Sequence, residues 1–403
     1  MKHETIVKIL ILLLILSGTG ALAYFQYEKP AHSPTNISND AVERLVACTG
    51  ENFIECARPL VNELLVSNSG ADVMNLLSEK YPSSQCHFFG HVVGQQLYLK
   101  TGNVEHSLST CNNACASACV HGVIGEAFAQ EAGIDEDAFD PQHLRPEDVR
   151  LLGERLCASN STCHGVGHAL FMTYGEFDPA LALCAEIATG AARVFCYRGV
   201  FMQYADIISE KSTRDSAIIA RPTFETLASL CTHGSIEGRL ACFRYLPRMH
   251  ADMQKEFGAT VEIRRSSTEQ LCESLSDKES RNACFLGLGV YYAGSFYSDP
   301  QFVHDMCEHL SLETDQASCT LGAISSAAEY RRTSELIAYC DATPDTLVRK
   351  ICYHAVFSTT HFMGVSIAGN VEYEMACAKS PNPECAEGIA EYKNDPWERI
   401  LAQ

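Results

Sequence analysis

FDPALALCAEIATGAARVFCYRGVFMQYAD, residues Phe177 to Asp206, decides how the whole chain reads. Asp178-Pro179 opens a helix, because the fixed φ of proline suits a first turn. Ala180 to Ile187 are strong helix formers with apolar residues on one side. Thr189-Gly190 breaks the run, and a second apolar-periodic segment follows from Ala191 through Cys196 and Val200 to Tyr204. Cys184 and Cys196 stand about six residues on either side of the break, hence at one height on the two arms of an antiparallel hairpin. Their Cα atoms then come within the roughly 4.4–6.8 Å that a disulfide needs.

The same unit recurs outward from this stretch. Eleven residues separate Cys272 from Cys284, Cys307 from Cys319 and Cys340 from Cys352, and ten separate Cys231 from Cys242. Seven separate Cys48 from Cys56, Cys111 from Cys119 and Cys377 from Cys385. Ser235 caps a helix after Cys231, and Thr343-Pro344 does so after Cys340. Cys157 pairs with Cys163 across the loop Ala158 to Thr162, which leaves Cys86 and Cys115. These two either bridge two hairpins or form the one reactive or ligating pair. From Cys184 the first cysteines of successive pairs follow at intervals of 47, 41, 35, 33 and 37 residues. Intervals of that size, with no alternating strand pattern, predict an all-α fold of disulfide-stapled helical hairpins stacked as a solenoid or superhelical array.

This plan of hairpin plus internal disulfide resembles the cysteine-rich secreted members of the Sel1-like, tetratricopeptide-related repeats, although their glycine and alanine signature is absent. Segments 86–126 and 163–204 also resemble those of uncharacterised exported proteins, in which Cys-His-x-x-x-His is followed by Cys-x-x-Gly-Val. That second likeness implies no known activity.

The twenty cysteines point to an oxidising compartment, and the N-terminus agrees. Lys2 and Lys8 precede an apolar run from Ile9, and Ala21-Leu22-Ala23 has the form that signal peptidase accepts. Residues 1–26 read as a signal peptide or an N-terminal membrane anchor, and 27–43 as a linker. His/Cys-rich helical repeats occupy 44–208, a second linker 209–222, and plainer Cys-paired hairpins 223–403. The expected location is therefore periplasmic or extracellular, with or without a membrane tether. A formal charge of −20 argues against nucleic acid and against docking on anionic lipid. The acidic loop from Gly133 to Glu147 lacks EF-hand spacing and reads as solvated.

Chemistry concentrates in two segments, Cys86-His87-Phe88-Phe89-Gly90-His91 and Cys163-His164-Gly165-Val166-Gly167-His168. Residues 86–128 and 163–203 align as a duplication, with His121 opposite Arg198 and Cys352-Tyr353-His354 as a weaker third echo. On a helix, His at i and i+4 share one face about 5–6 Å apart and can share a metal. Two such helices related by a pseudo-twofold axis would offer His87, His91, His164 and His168 to one centre, with His121 as a fifth ligand or Glu126 as an outer carboxylate. Copper, zinc, iron or a bis-histidine haem are the candidate occupants. The plainer reading makes each histidine a polar core residue beside a close helix crossing that Gly90, Gly94, Gly165 and Gly167 permit.

No Cys-x-x-Cys-His, His-Glu-x-x-His, Gly-x-Ser-x-Gly or phosphate-loop motif is present, so no catalytic residue is assigned. Cys111, Cys115 and Cys119 at four-residue spacing mimic a thiolate set, but the oxidising compartment favours disulfides. Two functions follow. The first is an exported scaffold that binds a protein or peptide partner, with Tyr291-Tyr292, Phe296-Tyr297, His354 and His361 near its working face. The alternative is a metal- or haem-binding protein using the duplicated histidines.

Overall fold

The computed structural model describes residues 39–48, 53–81, 83–112, 114–131, 146–209, 222–293, 305–327, 333–343, 346–362 and 374–387. By internal contacts the chain divides at residues 37 and 38, and the unit that begins at Ser38 runs to Gln403. The expected export segment, most of the acidic loop, Pro344, Phe296 and Tyr297 lie outside the described residues, as does the side chain of His361. Every regular element among those described is helical, and the fold is all-α.

Eight longer helices form the backbone of the molecule: α1 (Ser83–Thr101), α2 (Ala114–Glu131), α3 (Asn160–Tyr174), α4 (Gly190–Ser209), α5 (Ile236–Glu256), α6 (Lys278–Tyr292), α7 (Glu313–Ala327) and α8 (Thr346–Phe362). Each packs on the next in chain order. Shorter helices connect them and pack beside them, among them Val104–Thr110, Pro146–Leu156, Phe177–Ile187, Val261–Glu273 and Thr333–Ala342. A longer helix with neighbours on both sides must be apolar on more than one face. Accordingly α3 buries ten of its fifteen residues, from Cys163 to Phe171 and Thr173.

Local signals set the helix ends. Ser159 and Thr162 form a capping box at the start of α3, and Gly175 ends it in a left-handed conformation at φ 65°. Ser235 caps α5 as its sequence suggested, accepting from Gly238 N. The helix expected from Asp178-Pro179 begins at Phe177 instead, after Glu176, whose side chain makes no capping bond. Pro179 is then the third residue, still within the turn whose N–H groups have no intrahelical partner.

All twenty cysteines are bonded, in the nine pairs that their spacing suggested and a tenth between the leftover Cys86 and Cys115. The five staples from Cys184 to Cys352 hold Cα atoms 5.2–5.7 Å apart. Cys86–Cys115 ties α1 to α2 and is neither free nor ligating. Ten disulfides fit an oxidising, exported setting. Among the described residues no helix is long and apolar enough to cross a membrane.

A helix already runs from Asn39 to Val46, so residues 39–43 of the expected first linker are helical. Residues 210–221 of the expected second linker lie outside the described residues, and α4, which ends at Ser209, packs directly on α5.

Candidate metal centre

Glycine brings the helices of the site together. On α2, a Cβ at Gly122 would collide with the carbonyl oxygen of His91, and one at Gly94 with that of Cys119. On α4, Gly199 meets the carbonyl of His164 in the same way, and Gly167 that of Cys196. With no side chain at these crossings, backbone lies on backbone, and the flanking histidines share a small volume.

The two crossings reveal a register that sequence alignment hides. Alignment pairs His91 with His168, whereas the crossings pair His91 with His164, because those carbonyls receive the equivalent glycines. One histidine pair therefore ends at the crossing, and the other begins there. Helix α2 packs against both α1 and α3, so the two pairs are successive members of a row with His121 between them. The expected pseudo-twofold relation is not what brings them together. Gly165 faces α2, where an added Cβ would lie 3.4 Å from His121 Cα.

Five imidazoles consequently converge. The ligand nitrogens of His87, His91 and His121 all lie within 4.8 Å of one another, and so do those of His121, His164 and His168. His121 belongs to both sets. Its ring centroid is 5.6 Å from those of His87 and His91, 4.9 Å from that of His164 and 5.3 Å from that of His168. The His91 and His168 rings are 6.0 Å apart. His91 is the partly exposed member, while the other four are buried.

The outer nitrogens are anchored and the inner ones face each other. His87 Nδ1 donates to Cys115 O at 2.8 Å, His164 Nδ1 to Phe195 O at 3.2 Å and His168 Nδ1 to Gln203 Oε1 at 2.9 Å. Cys115 has a left-handed φ of 53°, rare for a residue with a side chain. An Nδ1–H tautomer leaves a lone pair on Nε2, the form a metal binds. His87 and His91 approach Nε2 to Nε2 at 3.0 Å, and His164 and His168 at 3.2 Å. Two nitrogens about 2.0–2.1 Å from one ion are roughly 2.9–3.4 Å apart in octahedral or tetrahedral coordination. Nδ1 of His121 is buried without a hydrogen-bond partner.

Burial decides protonation. It holds His87 down to about 4, despite help from the Cys115 carbonyl and Asp206. His91, His121 and His164 are pushed well below the usual imidazole range, first by burial and then by one another. Burial lowers His168 too, against the pull of Asp206 and Gln203. At neutral pH the cluster is five neutral imidazoles, suited to copper, zinc, iron or nickel.

The remaining expected residues go elsewhere. Glu126 is buried on α2 but belongs to neither ligand set, and its Oε1 accepts from Gln130. Arg198, aligned with His121, lies over the Phe195 ring at 5.0 Å, and burial lowers it to about 9. His354 is buried on α8, outside both sets. Tyr291 donates to Asp252 Oδ1 at 2.7 Å. Two residues of the site had no prior signal. Gln203 orients His168, and Met202 places Sδ 3.3 Å from His164 Nε2. Both follow Gly199 within about one turn of α4.

Comparison with known protein families, curated proteins and solved structures yields no match to this chain in any of the three. The resemblance to Sel1-like repeats gains no support from them. The histidine geometry is thus the ground on which a functional reading stands.

Proposed function

We propose that this chain is an exported metal-binding protein whose disulfide-stapled helices hold late first-row transition metal on two overlapping histidine sets, His87/His91/His121 and His121/His164/His168. The observation that carries this is the convergence of two histidine pairs on a shared fifth ring, with ligand nitrogens within 4.8 Å in each set. A core role alone accounts poorly for it. A buried polar atom without a partner, such as His121 Nδ1, costs about 1–3 kcal/mol. Two anchored imidazoles that aim lone pairs at each other over 3.2 Å repel unless a cation or a proton intervenes.

A bare ion suits this cluster better than haem. Histidine rings pack against one another with centroids 4.7–6.0 Å apart, leaving no slot for a porphyrin plane between them. Copper, zinc and iron remain the candidates that imidazole chemistry admits. A partner-binding scaffold without metal, the other reading of the repeats, requires nothing of these histidines.

Metal analysis separates the two. Protein recovered with its disulfides intact should carry stoichiometric metal, and a His91→Ala/His168→Ala variant should lose most of it. Equal metal content in both proteins would remove the metal centre and leave the scaffold reading.

A further inference from the structure

We infer that the His164–His168 half of the centre, joined by the thioether of Met202, is a copper(I) site distinct from the all-nitrogen half at His87 and His91; this rests on the metal-centre reading above. Three donor atoms support it. His164 Nε2 lies 3.2 Å from His168 Nε2 and 3.3 Å from Met202 Sδ. Those separations suit the edges of one small coordination polyhedron. The donors are also held from outside, through Phe195 O on His164 and Gln203 Oε1 on His168. Gln203 is the next residue after Met202 on α4, so one turn of helix sets both the sulfur and the orientation of a ring.

The two halves differ at this position. Met202 is the third residue after Gly199, and the third after Gly122 on α2 is Gly125, which has no donor to offer. The first half is therefore nitrogen only, and the second is nitrogen and sulfur. Thioether is a soft, neutral ligand that favours copper(I), whereas harder divalent ions gain little from it.

Charge points the same way. Neither ligand set contains a carboxylate or a thiolate among the described residues, and every cysteine is bonded. The nearby carboxylate of Asp206 is already paired with Arg248. With only neutral donors in a buried place, a monocation leaves half the uncompensated charge of a dication, and the desolvation cost falls accordingly.

The test uses the full chain with its disulfides intact, loaded anaerobically with copper(I) alone or with zinc(II) alone. Met202→Leu is compared with Met172→Leu, the same near-isosteric change at an exposed methionine of α3. Wild type should show sulfur scattering at the copper edge. Met202→Leu should lose it and bind copper(I) at least about tenfold more weakly, with zinc(II) affinity nearly unchanged. Met172→Leu should match wild type. Unchanged copper(I) affinity in Met202→Leu would overturn the assignment, as would wild type that holds copper(I) without sulfur coordination; the histidine centre would survive either result. Wild type that binds neither ion would overturn the centre itself.

Discussion

His164 and His168 face each other through Nε2 at 3.2 Å, and each turns Nδ1 outward to a fixed acceptor, Phe195 O or Gln203 Oε1. Rings held this way cannot swing apart without breaking an anchor. Their geometry is prepared before any ion arrives, so less binding energy is lost to ordering.

His121→Leu separates stability from binding. The substitution removes a buried unpartnered nitrogen from the metal-free protein and replaces it with an apolar side chain. The metal-free melting temperature should stay level or rise. The increase that metal gives wild type should shrink sharply, because His121 serves both ligand sets. Thermal melts with and without metal check this. A large loss of metal-free stability with the metal-induced shift intact would show that His121 is structural.

Stability of the metal-free protein should depend on pH with a definite sign. The folded state holds His87 at about 4, where burial and the charges of His168 and Arg248 outweigh the Cys115 carbonyl and Asp206. An unfolded imidazole titrates near about 6.5. Between these values the unfolded chain carries a proton that the folded one lacks, so stability rises with pH across the window and falls on acidification. Denaturant melts from pH 7 to pH 4 should show that decline, with the other cluster histidines adding to it. A flat profile would contradict the neutral cluster.

The glycine crossings should be intolerant of even one carbon. Gly122→Ala places Cβ against the His91 carbonyl, forcing α1 and α2 apart. A loss of roughly 1–3 kcal/mol is expected from overpacking, together with weaker metal binding. Gly125→Ala, three residues on, meets nothing within 4 Å. It should gain up to about 1 kcal/mol from helix propensity. Chemical denaturation of the two variants side by side gives the comparison.

Cys86–Cys115 joins α1 to α2 beside the His87 anchor, and it spans a sequence separation of 29. Replacing both cysteines with serine should cost about 3.6 kcal/mol on the loop-entropy estimate. It should also weaken metal binding, since the Cys115 carbonyl holds His87 in place. Metal affinity equal to that of wild type would show that helix packing alone positions the ring.

Much of this was legible in the chain because hairpins are local. Cys184 and Cys196 are close in sequence and in space, so spacing alone gave the pairing and the all-α fold. Elimination left Cys86 and Cys115 together but not their chemistry, and the disulfide that joins α1 to α2 decides it. The histidine pairs were visible for the same reason, each lying on one turn of one helix. The register between helices was not visible, because it depends on which carbonyl Gly122 and Gly199 touch, and alignment placed His91 one turn away from its crossing partner. Met202 and Gln203 escaped notice because their partners lie 38 and 35 residues earlier, on another helix. Nothing in their composition marks them. Glu126 illustrates the converse: a carboxylate attractive by position, it bonds Gln130 instead.

X-ray absorption at the edge of whichever metal co-purifies with the disulfide-bonded protein reads the ligands of the centre themselves. The spectrum should show the multiple-scattering pattern of at least three imidazoles around the ion, reduced in the His91→Ala/His168→Ala variant. An ion bound only by oxygen ligands, or a wild-type pattern unchanged in that variant, would contradict the histidine centre.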